Sequence, residues 1–249
     1  MLKIIAKKLL RPLLEKRHRR ANVLIHIGLH KTGSTSIQHF MANNRERLLD
    51  EGILYYRGGL NDHNHVDLHI VAIRPERGTP FKRDAGIQNT PVFFKKVRES
   101  VRDALAQNAK LTVFSNEGIS LVAHRDEAHR LKSLFPNSSI KIVVYLRNKA
   151  EFLASYRAEM KKYKYPMNPT RDSFAYTEDD TWIINYEERL RVFRAVFGAQ
   201  NVFTIDYDKE MEMRGSVLPS FIELIGAGSI FAPSDWQDVW LNARPEAGT

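Results

Sequence analysis

An α/β fold, a three-layer sandwich with a central parallel sheet, is predicted by three observations. Short apolar runs alternate with segments of helical period, the strongest runs end on glycine or polar residues, and the connecting segments are long enough to hold crossover helices. In sheets of this kind ligands bind beyond the carboxyl ends of the strands.

Val23-Leu24-Ile25-His26-Ile27 is the first such run, and it reads as a buried strand ending at Gly28. A helix opens at Ser34 or Thr35, carries Ile37, Phe40, Met41 and Leu48 on one side, and meets a stop at Gly52. Phe93, Val97, Val101 and Leu105 mark a second helix. Leu111-Thr112-Val113-Phe114 then forms a strand that runs into Ser115-Asn116-Glu117, and a third helix covers about 124–134. Ile140 to Leu146 is the clearest strand signal, with Arg147 at its carboxyl end and a helix following through Lys162. A helix near 182–197, a strand over 201–205 and a helix near 217–225 complete the alternation. The stretches 57–90 and 164–179 carry no legible element and exceed ordinary connections, which makes them candidate acceptor-binding or lid segments.

With 249 residues, 43% of them hydrophobic, the chain can bury one substantial core, and it is read as a basic segment, 1–20, followed by one domain, 21–249. The absence of cysteine removes disulfides, thiolate metal sites and thiol nucleophiles. The formal charge of +9 is concentrated: residues 1–20 hold eight lysines and arginines against Glu15. The domain therefore lacks the basic stripe of a nucleic-acid binder, and no nucleic-acid partner is expected. Leu2, Ile5, Leu9 and Leu13 lie at near-helical spacing, so the leading segment can rest on an anionic membrane surface or form a solvated basic helix. Basic residues interrupt each apolar run, too often for a transmembrane helix or a secretory signal. A cytoplasmic location is expected, and the membrane-surface alternative would set residues 1–20 against the inner membrane face.

The chemistry-bearing motif is the turn Gly28-Leu29-His30-Lys31-Thr32-Gly33-Ser34-Thr35-Ser36. Backbone N–H groups of a glycine turn at a helix N-terminus bind phosphate oxygens, because they lack intrahelical partners and lie at the positive end of the dipole. Thr32, Ser34, Thr35 and Ser36 add hydroxyls, and Lys31 adds a mobile positive charge. Lys31 precedes the second glycine, whereas a Walker lysine follows it.

This turn, read as His26-Ile27-Gly28 with Lys31-Thr32-Gly33-Ser34-Thr35-Ser36-Ile37-Gln38, resembles the 5′-phosphosulfate loop of sulfotransferases that use 3′-phosphoadenosine-5′-phosphosulfate, particularly their bacterial and carbohydrate-directed branches. A second segment, Val143-Val144-Tyr145-Leu146-Arg147-Asn148-Lys149 with Glu151-Phe152-Leu153-Ala154-Ser155-Tyr156, resembles the family's 3′-phosphate motif. The two occur in the family's order. The resemblance extends through the tail, where Trp182, Phe197-Gly198, Asn201-Val202 and Tyr207-Asp208 match the family's pattern. It implies that Lys31, Thr32, Gly33, Ser34, Thr35 and Ser36 hold the 5′-phosphosulfate, and that Arg147 and Ser155 hold the 3′-phosphate. It implies a P-loop NTPase-like sulfotransferase fold and transfer of a sulfuryl group to a hydroxyl or amine of a small-molecule or glycan acceptor, with a carbohydrate or glycolipid indicated by the branch, and no metal required. The family's glycine-rich basic loop has no counterpart in this chain, so the residues that contact adenine stay unassigned.

Carbohydrate-directed members place a glutamate just after a central strand, and Glu117 is by that likeness the candidate general base beside Lys31 as the other catalytic residue. Its alternative role is a carboxylate that complements a helix dipole. Histidines compete for the acceptor side: His30 adjoins the turn, while His63, His65 and His69 cluster in the 57–90 stretch. His30 and His65 are the acceptor-site candidates, and His65 and His69 without a third ligand make weak metal evidence. The rival readings are a kinase or NTPase with an unusual phosphate loop, and a non-enzymatic binder driven by residues 1–20.

Overall fold

A computed structural model describes residues 21–236. At its centre lies a five-stranded sheet, β1 (Asn22–His26), β2 (Ile53–Tyr55), β3 (Leu111–Ser115), β4 (Ser139–Leu146) and β5 (Val202–Asp206). The strand order is β2-β3-β1-β4-β5. Each neighbouring pair is parallel, with Val23 opposite Thr112 on one side and Ile140 on the other. The α/β architecture expected from the apolar alternation is the one observed.

The period of two along each strand sorts side chains into two cores. Val23, Ile25, Ile142 and Val144 join the core on one face, and Leu24, Val143 and Tyr145 the core on the other. The first face is covered by α3 (Val66–Ala72), α5 (Pro91–Leu105), α6 (Arg125–Ser133), α7 (Lys149–Lys162) and α8 (Tyr186–Phe197). The second is covered by α1 (Ser34–Asn43) and α10 (Leu218–Leu224). Because β1 sits between β3 and β4, the chain leaves the sheet centre at His26 with a strand end on either side.

Several boundaries depart from the expected ones for local reasons. The helix opening at Ser34 stops at Asn44, whose backbone N–H and Nδ2 both donate to Phe40 O at 3.2 and 2.9 Å. A separate α2 (Arg45–Asp50) follows, then the three-residue β2, too short to announce itself by period. The 57–90 stretch is not a loop but holds α3 and α4 (Pro80–Ala85), the latter opened by Thr79 as cap and Pro80 at its first turn. The 164–179 stretch has neither helix nor strand. It is fixed instead by Tyr156 Oη donating to Phe174 O at 2.9 Å and Trp182 Nε1 donating to Ser173 O at 3.1 Å. An unexpected α9 (Tyr207–Arg214) follows β5 directly, capped by Asp206.

His65 corrects an expectation. It is fully buried and both ring nitrogens are taken by the protein: Ser115 N donates to its Nδ1 at 2.9 Å, which leaves Nε2–H to donate to Tyr56 O at 2.8 Å. Both nitrogens are spent on joining the end of β3 to the loop after β2. His69 is equally buried and bonds Thr79 Oγ1 at 2.8 Å, so the two histidines do not converge on an ion. Among the described residues no group of three or more potential metal ligands comes together. Nor, among them, is any helix long and apolar enough to cross a membrane. Residues 1–20, read as either a membrane-surface segment or a solvated basic helix, lie outside the described part.

Burial holds His26, His65 and His69 each at a pKa of about 3, against an ordinary value near 6.5. Their folded pKa lies below the unfolded one, so the stability they contribute is complete above pH 6.5 and lost as pH falls from there toward 3. Denaturant unfolding measured from pH 7 to 4 is expected to show stability falling with an added proton uptake of about one per buried histidine, and His65→Asn is expected to reduce that slope by about one proton. An unchanged slope in a folded variant would show that His65 titrates normally.

Candidate active site

Three strand ends supply the site. After β1, the chain passes through Gly28, at φ +37°, and then through Lys31 and Gly33, at φ +63° and +76°. These left-handed residues turn the backbone back on itself before α1 begins. A side chain at Gly28 would collide with Ser34 Oγ and stand 3.2 Å from Glu117 Cβ, and one at Gly33 would lie 2.6 Å from Val217 Cγ2. Both glycines are therefore required by close approach.

Gly33 caps α1 with no side chain, and the first bond of the helix runs from Ile37 N to Gly33 O at 3.1 Å. The N–H groups of Ser34, Thr35 and Ser36 are thus those that a helix leaves without an internal partner. Two hydroxyls of the cradle are used internally, contrary to a picture in which all four face a ligand. Thr32 Oγ1 donates to Leu29 O at 2.8 Å and accepts from Leu29 N at 3.3 Å, and Ser34 Oγ donates to Leu29 O at 3.3 Å. They shape the loop. Thr35 is half-buried, Ser36 is buried, and Lys31 is exposed at the tip.

Glu117 follows β3, packed against Gly28. Gln38 Nε2, one helical turn beyond Ser34, donates to its Oε2 at 2.8 Å, and Asn64 Nδ2 approaches its Oε1 at 3.5 Å. Asn116 Nδ2 donates to Asn64 Oδ1 at 2.5 Å. The carboxylate is half-buried and oriented by two amides, with no basic side chain bonded to it among the described residues. Beneath the turn after Glu117, the fully buried guanidinium of Arg189 donates to Ser120 O at 2.8 and 3.3 Å and to Ile183 O at 2.5 Å. Burial lowers its pKa to about 10, so it stays charged at neutral pH.

Arg147, at the end of β4, reaches both the cradle and α7. Its Nη1 donates to Ser155 Oγ at 3.3 Å and approaches Lys31 O at 3.5 Å, while Nη2 donates to Glu151 Oε2 at 2.6 Å. Its buried Nε makes no hydrogen bond and has only a 3.9 Å contact with Asp208. An unpaired buried donor on a cation suits an anion's oxygen. A cavity of about 690 Å³ opens beside it, lined in part by Asn148, Lys149, Tyr186 and Asp208.

His30 is brought to the site but is buried, its ring 5.8 Å from that of Phe81 and 5.4 Å from that of Tyr156. Burial lowers its pKa, with the charges of Glu159 and Glu117 opposing, so the imidazole is neutral at pH 7. The structure therefore brings together the cradle, Glu117, Arg147, Ser155 and His30, and leaves His65 out. Gln38, Asn64, Arg189 and Glu159 escaped sequence reading. Gln38 and Glu159 each carried a signal, a spacing of four on one helix face from Ser34 and from Ser155.

No family model matches the chain, and no curated protein matches it. Among solved structures, a sulfotransferase from Alicyclobacillus acidocaldarius is similar at a TM-score of 0.55 and 14% identity, over 92% of this chain and 88% of that one. The GDP complex of the signal recognition particle receptor FtsY from Elizabethkingia anophelis has a TM-score of 0.36 and 12% identity, over 98% of this chain and 72% of that one. The second likeness is too loose to carry weight. The first likeness extends to the fold: this chain shares the α/β architecture of that structure.

Proposed function

We propose that this protein is a sulfotransferase that moves a sulfuryl group from 3′-phosphoadenosine-5′-phosphosulfate to a hydroxyl or amine, on a carbohydrate, glycolipid or smaller acceptor. The observation that supports the reading is the presence of two groups suited to anions at adjacent strand ends: the N-terminus of α1 after β1, which has no side-chain cap, and Arg147 after β4, whose Nε has no hydrogen bond. A donor with phosphates at both ends of one ribose needs two such sites. A Walker-type nucleotide site would put its lysine directly after Gly33, where this chain has Ser34.

In this reading the cradle amides hold the 5′-phosphosulfate, Arg147 and Ser155 hold the 3′-phosphate, and the cavity beside Arg147 gives room to the nucleoside. Glu117 takes the proton from the acceptor as its oxygen or nitrogen attacks sulfur. The bond from sulfur to the bridging phosphate oxygen breaks in line, and Lys31 meets the charge that develops on that oxygen. Gln38 and Asn64 keep Glu117 aimed, and the neutral His30 forms an uncharged wall. No step calls for a metal. The leading segment, 1–20, is proposed to place the enzyme at the inner face of the membrane.

Lys31→Ala is expected to keep its circular dichroism spectrum and lose about 10²–10³-fold in turnover, the scale of one removed charge-stabilising donor. Turnover near that of the parent would remove Lys31 from the reaction. Glu117→Gln is expected to bind adenosine 3′,5′-bisphosphate within about twofold of the parent while its turnover falls by ~10²–10⁴-fold. Equal losses in both would make Glu117 a structural residue. Arg147→Ala is expected to erase a preference of about tenfold or more for adenosine 3′,5′-bisphosphate over adenosine 5′-phosphate in a binding titration. A preference that survives would place the 3′-phosphate elsewhere.

A further inference from the structure

One face of α7 carries Glu151, Ser155 and Glu159 at intervals of four, which stacks them along the side turned to the cradle. The first two engage Arg147. The third, Glu159, puts its Oε2 3.4 Å from Lys31 Nζ, with side chains 18% and 39% exposed respectively. That oxygen is buried and has no hydrogen bond, so the ion pair is its one polar contact shown among the described residues. Lys31 itself sits at φ +63°, a conformation that fixes where its side chain leaves the turn. The lysine is therefore not free over the cradle: it is drawn to one side by a carboxylate from a different element.

We propose that Glu159 is a positioning residue of the donor site, which holds Lys31 across the cradle mouth as a counter-ion until the donor's anionic oxygens replace it. The proposal rests on the reading of the cradle as an anion site. Both cations that would hold the donor, Lys31 and Arg147, are then paired with carboxylates of the same helix face when no anion is bound. An incoming phosphate exchanges one partner for another rather than meeting a bare charge. The exchange lowers the net gain from the lysine, because the pair must be broken before the new contact forms. It also leaves Glu159, once released, near His30, whose charge state it influences.

The test is a double-mutant cycle on the full chain with two probes, adenosine 3′,5′-bisphosphate and inorganic pyrophosphate, titrated calorimetrically at fixed ionic strength. Glu159→Gln, which keeps shape and removes charge, is expected to tighten both probes by about twofold to fivefold, the range of a partly exposed ion pair. In a Lys31→Ala background the same substitution is expected to change neither. Glu159→Asp, a methylene short of the lysine, is expected to behave as the Gln variant does. Equal tightening with and without Lys31 would reduce Glu159 to a source of diffuse repulsion and overturn the proposal, as would no tightening. Neither probe binding the parent protein would overturn it too. Tightening of pyrophosphate in a protein that ignores the bisphosphate would support Glu159 as Lys31's counter-ion and reject the donor assigned above.

Discussion

The parallel pairing of β1 between β3 and β4 is the constraint from which the site follows. A strand hydrogen-bonded on both sides must end with its neighbours' ends beside it, and in a parallel sheet those are all carboxyl ends. The cradle after His26, Glu117 after β3 and Arg147 after β4 therefore share one rim without any long-range design of loops. Ile27 N extends the pairing one residue further by donating to Val143 O at 3.0 Å, so the sheet holds the chain up to the start of the turn. The turn is then forced: Gly28 and Gly33 are each hemmed in by a side chain from another element, and no other residue fits there without displacement.

Charge at this rim is arranged rather than abundant. Most of the chain's excess positive charge lies in residues 1–20, and the rim has few cations. What it has instead is orientation: helix amides aimed outward, a guanidinium with one donor left over, and a lysine held by a carboxylate. Preorganised dipoles in a partly buried site need not reorganise when charge develops, which is why a small number of them suffices. The buried histidines serve the same end from behind. His26 bonds Ser115 Oγ at 2.8 Å beneath the cradle and His65 ties Ser115's backbone, so two neutral imidazoles brace the strand end that presents Glu117.

The sheet and the three rim segments were legible in the sequence because each rests on local order: an apolar run of period two or a continuous buried stretch, then glycine or a charged residue. Ile140 to Leu146 followed by Arg147 shows both at once. The short elements were not legible. Ile53–Tyr55 is a strand only because β3 lies alongside, and α3 and α4 fill 57–90 through contacts that no period announces. His65 looks functional from its place in the sequence, whereas burial and two backbone partners give it a structural role. Glu159 illustrates the converse. Its spacing from Ser155 is visible, yet the ion pair depends on the left-handed turn that carries Lys31 around to it.

The central claim is that this rim transfers a sulfuryl group. The most direct measurement is transfer of labelled sulfate from 3′-phosphoadenosine-5′-phosphosulfate across a panel of glycans, lipids, small alcohols and amines, run with chelator present. Label is expected on at least one hydroxyl or amine acceptor, with adenosine 3′,5′-bisphosphate released in equal amount. No label on any acceptor, together with metal-dependent transfer of phosphate from ATP to one of them, would contradict it.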